Sequence, residues 1–280
     1  AQLISADSAL IYRGMDIGTA KPTLHEQRRY PHALIDIRDP SETYSAADFV
    51  ADADAEIASA IAAKKKPIVV GGSMMYLKCL LEGIADLPAT DIALRQDLER
   101  ELAERSAQSL HYELAQQDPV AAGVIHPNNH QRLLRAIAVV RITGQPMSAQ
   151  WLDKSRGGLF ERTGLRHESV VMLPMQRDRL HQRIAARFRK MLRVGLLDEV
   201  RELMNRGDLT RDMPSMRAVG YRQAWGHLVE ETDETTFIDQ GIAATRQLAK
   251  RQITWLRRWP DALKLVADTP DQLIQAILRQ

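Results

Sequence analysis

The chain has 280 residues, of which 45% are hydrophobic, 26% charged and 5% aromatic, a balance that excludes a disordered or fibrous polypeptide and suits one large domain or two smaller ones. Its 38 basic and 36 acidic residues leave a net charge of +2, so any nucleic-acid surface must come from where the basic side chains sit, not from overall charge. A lone cysteine, Cys79, excludes an internal disulfide framework, and no apolar run approaches the roughly twenty residues of a membrane helix; a reducing cytoplasm without membrane contact is expected.

Leu3 and Ile4 begin an apolar run without helical period that stops at Asp7. This predicts a parallel strand with a carboxylate at its carboxyl end, where α/β sheets present their ligands. Asp7 is the first candidate for chemistry, although Asp followed by Ser8 equally suits a capped turn. No G-x-x-x-x-G-K-[ST] phosphate loop occurs in the chain: Gly14 to Lys21 has the wrong spacing and runs into Pro22. A catalytic-looking strand usually follows an earlier βα unit, so a segment of about thirty residues is expected ahead of Ala1.

His32 to Pro40 reads as a short strand closed by an Asp-Pro turn. Ser45 with Asp48 forms a capping box for a helix running to about Ala63, and Lys64, Lys65 and Lys66 sit at its negative dipole end. Pro67 to Tyr76 reads as a buried strand, a Gly71-Gly72-Ser73 turn and a helix start, where backbone N–H groups and a hydroxyl can converge on an anion. A tight turn with close packing explains the same glycines. Cys79 is expected to be a small buried apolar residue.

From Asp91 to Ile142 the strands give way to successive helices, with Leu94, Leu98 and Leu102 at helical spacing and breaks at Asp118-Pro119 and His126-Pro127. This predicts a helical insertion over residues 91–143 between core segments 1–90 and 144–280. Its last helix carries Gln131, Arg132 and Arg135 beside an apolar set of Leu133, Leu134, Ile137 and Val140. A flexible segment around Ser155 to Gly158 leads to a strand at Ser169 to Pro174, expected to rejoin the parallel sheet. Arg177 to Arg193 is strongly basic, suited to phosphate, and Ser215 to Gln223 sets Arg217 and Arg222 around Gly220 near a helix start.

A helix is predicted from about Ala243 to Trp259. At about 100° per residue its apolar arc, Leu248, Ala249, Ile253, Trp255, Leu256 and Trp259, opposes a basic one of Arg246, Lys250, Arg251, Arg257 and Arg258 that no acidic residue interrupts. Phosphate contact is the favoured reading of that face. Ala262 to Gln280 suggests a strand and helix completing the sheet edge, and no internal repeat or zinc-ligand spacing is present.

Six blocks in order carry a resemblance: Asp7 to Tyr12, Gly14 to Pro22, Gly71-Gly72-Ser73, Gln131 to Arg135, Arg217 to Arg222, and Lys250 to Arg257. Over nearly its whole length the chain resembles the bacterial tRNA dimethylallyltransferase (tRNA isopentenyltransferase) family. The resemblance implies an α/β fold, a P-loop kinase-like parallel sheet core with a helical insertion domain that grips the anticodon stem-loop. It implies transfer of dimethylallyl from dimethylallyl diphosphate to N6 of adenosine 37 in tRNAs reading codons that start with U, with Mg²⁺, by a monomer.

By the same resemblance Asp7 and Ser73 are catalytic, as general base and leaving-group contact, and Arg217 and Arg222 bind diphosphate. Ser8, Ala9, Leu10, Arg95, Gln131, Arg132, Arg135, Gly220, Tyr221, Lys250, Arg251, Gln252, Thr254, Trp255 and Arg257 fall on segments that contact tRNA. Asn129 and Ala138 replace the family's usual Asp and Glu. The family's metal and diphosphate loop has no counterpart here, so residues 1–280 alone are expected to be inactive. A P-loop metabolite kinase, a non-catalytic RNA binder, and isopentenyl transfer to free adenine nucleotide remain as alternatives.

Overall fold

A computed structural model describes residues 1–266 except 86, 89 and 152–156, together with 271, 274 and 275. In chain order the elements begin with β1 (Gln2–Ser5), α1 (Leu24–Arg29), β2 (His32–Ala33), α2 (Ala46–Ala62), β3 (Pro67–Val70) and α3 (Met74–Glu82). Helices α4 (Ile92–Arg105), α5 (Ala107–Gln117), α6 (Pro119–Val124), α7 (His130–Thr143) and α8 (Leu159–Thr163) follow, with a short 3₁₀ turn at Met147–Trp151. The chain continues with β4 (Ser169–Leu173), α9 (Arg177–Arg193), α10 (Leu196–Asn205), α11 (Tyr221–Leu228), α12 (Glu234–Arg257) and β5 (Ala262–Val266).

Two compact units result, one of residues 1–79 with 166–280 and one of residues 80–165. In the first, β1 lies between β2 and β3, all parallel, in register Ile4 to Ala33 and Ser5 to Val70. The α2 helix starts at the capping box read from the sequence: the Ser45 hydroxyl accepts from Asp48 N at 3.1 Å and the Asp48 carboxylate accepts from Ser45 N at 2.8 Å. Phe49, Val50, Ala53, Ile57 and Ala60 then bury one stripe.

Three expectations are corrected. The strand read over His32 to Pro40 is only two residues long, because Leu34 and Asp36 adopt left-handed backbone (φ 64° and 57°) that no strand accommodates; instead Asp36 and Arg38 donate their N–H groups to Leu10 and Ile11. β4 does not join the three-stranded sheet among the described residues. It pairs in parallel with β5, which fills one of its edges over all five residues from Ser169–Ala262 to Leu173–Val266. The last long helix starts at Glu234, not near Ala243, because Asp233 caps it (2.7 Å to Thr236 N) and Phe237, Gly241 and Ile242 extend its buried face. A Cβ on Gly241 would collide with the Phe188 ring, so glycine sets the approach of α12 to α9. The helix expected near the carboxyl end lies outside the described residues.

The second unit is helical, as read. Leu98, Leu110, Leu114, Leu133, Ile137 and Met147 belong to its buried core. Asp118, with no exposure, caps α6 through Ala121 N at 3.0 Å and also accepts from Ser148 N at 2.8 Å and Ser148 Oγ at 2.5 Å. Within this unit Arg162 on α8 donates to the Leu80 carbonyl at 3.0 Å. Asn129 caps α7, accepting from Arg132 N at 3.4 Å, and Ala138 is buried, so both departures from the family pattern fit the helix.

Candidate active site

The carboxyl ends of β1 and β3 meet in a tight backbone weave. Ala6 N donates to Val70 O at 2.8 Å, and Ser73 N donates back to Ala6 O at 3.1 Å. A Cβ on Gly71 would collide with the Ala6 carbonyl, so only glycine lets the turn lie this close. The Ser73 hydroxyl accepts from Ser8 N at 2.8 Å and donates to Ser8 Oγ at 3.0 Å. Asp7, half-buried and adjacent to Ser8 in the chain, accepts from Ala9 N at 2.8 Å and Leu10 N at 3.4 Å through Oδ1. The turn-capping reading of Asp7 therefore holds, yet it occupies one oxygen; Oδ2 has no protein hydrogen-bond partner among the described residues.

Aromatic rings back this corner. Phe49 stacks on Tyr76 at 4.6 Å between centroids, and Tyr44 meets Tyr76 edge-on. Burial pushes the Tyr76 phenol well above its ordinary value, with Tyr12, Asp7 and Asp48 adding to the shift, so it stays protonated. Gln252, half-buried on α12, donates its amide to the Gly72 carbonyl at 3.0 Å, tying that helix to the glycine turn.

The remaining sequence-predicted residues divide by unit. In the first, Arg217 and Arg222 are exposed on either side of Gly220, whose φ of 98° turns the chain into α11. Tyr221 is fully buried, and its hydroxyl donates to Glu199 at 2.5 Å. Burial, then the Glu199 charge, holds its phenol far above the ordinary value. On α12, Lys250, Arg251, Thr254 and Arg257 are exposed, while the supposed apolar arc is only partly covered: Leu248 is 36% and Trp255 37% exposed. Lys78 Nζ sits 5.7 Å from the Trp255 ring centroid.

In the helical unit Gln131 and Arg132 are exposed at the start of α7, and Arg95 pairs with Glu99 at 3.1 Å. Arg135 is half-buried, donates to Thr90 Oγ1 at 2.6 Å, and has its guanidinium pKa lowered by burial.

Sequence reasoning missed Glu199, which gathers four donors, and the cavity of about 510 Å³ lined by Ile17, Lys21, Asp36, Arg187 and Lys190 among others. A glutamate in the first turn of a helix carries no signal of its own, and the cavity contains none of Asp7, Ser73, Arg217 or Arg222.

The model of one protein family, described as IPP transferase, matches residues 10–259. The chain belongs to the IPP transferase family. A tRNA dimethylallyltransferase of Chromohalobacter salexigens is 52% identical over 270 residues, covering 96% of this chain and 85% of the relative. The full-length tRNA isopentenylpyrophosphate transferase of Bacillus halodurans is 34% identical with a TM-score of 0.65, covering 98% of this chain and 85% of that one. A eukaryotic dimethylallyltransferase, solved acting on tRNA, is 24% identical with a TM-score of 0.79 over 100% of this chain and 70% of its own, and shares the fold. The α/β class with a helical insertion is thus the IPP transferase fold, and the enzyme class is that of a prenyltransferase. No helix among the described residues is long and apolar enough to cross a membrane.

Proposed function

We propose that this IPP transferase joins a dimethylallyl group to N6 of adenosine 37 in tRNAs reading codons that start with U, releasing diphosphate. The observation that carries the reading is the corner where Asp7, at the carboxyl end of β1, lies beside the Gly71-Gly72-Ser73 turn through the Ser8–Ser73 hydrogen bonds. In the reaction the N6 nitrogen attacks C1 of dimethylallyl diphosphate, the C1–O bond breaks with its electron pair leaving on diphosphate, and the N6 proton passes to Asp7. A carboxylate is needed because the N6 lone pair is delocalised into adenine and becomes basic enough to react only as its proton leaves. Ser73, its hydroxyl proton turned from Ser8 Oγ, donates to the leaving oxygen, and Arg217 and Arg222 offset the charge gathering on diphosphate as C1 becomes cation-like.

The candidate contacts for the tRNA anticodon stem-loop are Arg95, Gln131, Arg132 and Arg135 in the helical unit and, separately, Lys250, Arg251 and Arg257 in the first. A loop nucleotide is unstacked at a cost of only a few kcal/mol, which suits an adenosine beside the anticodon. The Mg²⁺ expected from the resemblance would be held largely by the diphosphate oxygens, because this ion usually takes only one or two protein carboxylates and keeps its waters.

The test is transfer of labelled dimethylallyl from its diphosphate to three acceptors by the full-length protein: tRNA with A37, the same tRNA with G37, and AMP. Label appearing on A37 alone is expected. Label on AMP would select the free-nucleotide reading, and ATP-dependent phosphorylation of a small metabolite without label transfer would select a kinase.

A further inference from the structure

Glu199 sits half-buried in the first turn of α10, and its carboxylate is fully subscribed. Oε2 accepts from Asp16 N at 2.8 Å and Ile17 N at 2.7 Å, while Oε1 accepts from Gly18 N at 3.1 Å and the Tyr221 hydroxyl at 2.5 Å. A carboxylate offers about four lone-pair sites, and all four are used. Three successive amides converging on one anion form a nest of the kind that binds phosphates, here filled by the protein's own side chain. A Cβ on Gly18 would collide with the Tyr221 ring, so the loop and the phenol are pressed together as well as bonded to one group.

Each end of this clasp leads to the proposed chemistry. On one side the loop is stiff: Lys21 N donates to Asp16 O at 2.9 Å, and Lys21 Nζ donates to Asp16 Oδ1 at 2.6 Å and to Tyr12 O at 2.7 Å. Tyr12 N reaches Ala9 O at 3.4 Å, and Ala9 N bonds the Asp7 carboxylate. On the other side Tyr221 is flanked by Gly220 and Arg222, and Arg222 N is fixed on Ala218 O at 3.1 Å within the segment begun by Arg217.

We propose that Glu199 is a positioning residue that holds the Asp7 end of β1 in register with the Arg217–Arg222 segment, so that base and diphosphate contacts face the same substrate. This rests on the dimethylallyl-transfer reading given above. Glu199 touches neither substrate; it acts through the amides of Asp16 to Gly18 and the Tyr221 phenol.

The test compares wild type, Glu199→Gln and Tyr221→Phe in the full-length protein by transfer kinetics and by amide hydrogen exchange. The Gln amide turns an N–H toward donors, whereas Phe removes a single hydroxyl. Glu199→Gln is expected to lower kcat about 10- to 100-fold, the scale of a roughly 1 Å misplacement, with KM for tRNA changed less than about threefold. Exchange at residues 16–18 and 221–223 should rise together. Tyr221→Phe should show the same pattern at about 3- to 10-fold in kcat, and carries the test by itself if Glu199→Gln does not fold.

Faster exchange with unchanged kcat would make Glu199 merely structural, and a loss confined to tRNA KM would make it part of the RNA surface; either overturns the proposal. Exchange rising in only one of the two segments overturns it as well. A wild-type protein that transfers nothing would instead overturn the functional reading, and the two failures are told apart because exchange is read without turnover.

Discussion

Replacing Asp118 with Asn tests how the helical unit is held. Asp118 has no exposure and accepts hydrogen bonds from Ala121 N, Ser148 N and Ser148 Oγ among others. The amide keeps one oxygen, so if Nδ2 takes the place of Oδ2 it faces the Ser148 N–H. One charged-acceptor bond, worth about 1.5–3 kcal/mol, is lost, and a buried donor is stranded at about 1–3 kcal/mol; a destabilisation of about 3 kcal/mol is expected at pH 7. Burial pushes the Asp118 carboxyl up, but the bonds from Ser148, Ala121 and Met147 outweigh it and the net shift is downward. A depressed native pKa contributes stability above the unfolded value of about 3.9 and loses it as pH falls through the native value. The gap between wild type and Asp118→Asn should therefore be widest near neutrality and shrink below about pH 3.9. Amide exchange of α6 and the Met147–Trp151 turn in increasing urea, at pH 7 and pH 3, measures it. Equal protection at pH 7, or a gap that pH leaves alone, would refute the reasoning.

Asp7→Ala should cost about 10²- to 10⁴-fold in single-turnover transfer while tRNA affinity holds; wild-type-like turnover would remove Asp7 from the proton transfer. Ser73→Ala deletes both hydrogen bonds to Ser8 and should slow the chemical step more than it weakens diphosphate binding, with Ser73→Thr near neutral; a purely affinity effect would return the glycine turn to a packing role. Neutralising Arg251 and Arg257 together on α12 should weaken tRNA binding and lower the log–log salt slope by about 1 for each phosphate left without its cation, read from filter binding across a salt series. An unchanged slope would move the RNA elsewhere.

Where neighbouring residues alone decide structure, the sequence was informative. Ser45 and Asp48 satisfy each other within one turn, Asp118-Pro119 breaks the helices by removing an N–H, and Gly71 marks a close backbone approach. The left-handed backbone of Leu34 and Asp36 was illegible because this stretch answers to distant partners, with Asp36 and Arg38 bonded to Leu10 and Ile11 some two dozen residues earlier. The partner of β4 was equally hidden, since an apolar run announces a strand without naming the edge it joins. At the candidate site, Asp7, Ser73 and the exposed arginines were singled out by type and position, and the structure joins the Asp7–Ser8 turn to Ser73. Tyr221 looked like a polar contact in a basic motif, and only the three-dimensional arrangement shows its hydroxyl spent on Glu199. Gln252 lies in the basic stretch of α12, and its amide is committed to Gly72.

The first unit is discontinuous, and during translation its order of appearance matters. β1 to β3 leave the ribosome before Leu80–Leu165, a stretch that takes on the order of 4–17 s to make at about 5–20 residues per second. Through that interval the 16–18 amides wait for Glu199 and the Gly72 carbonyl waits for Gln252. Ile68 and Val70, exposed even in the finished fold, belong to a nascent sheet that has none of its later helices over it. The helical unit has no such delay, because its core from Leu98 to Met147 is contiguous in the chain and can close as it emerges. A ribosome stalled once Leu165 has cleared the exit tunnel should therefore display a folded helical unit and a chaperone-accessible first half, and release of that half should follow synthesis of α10 to α12.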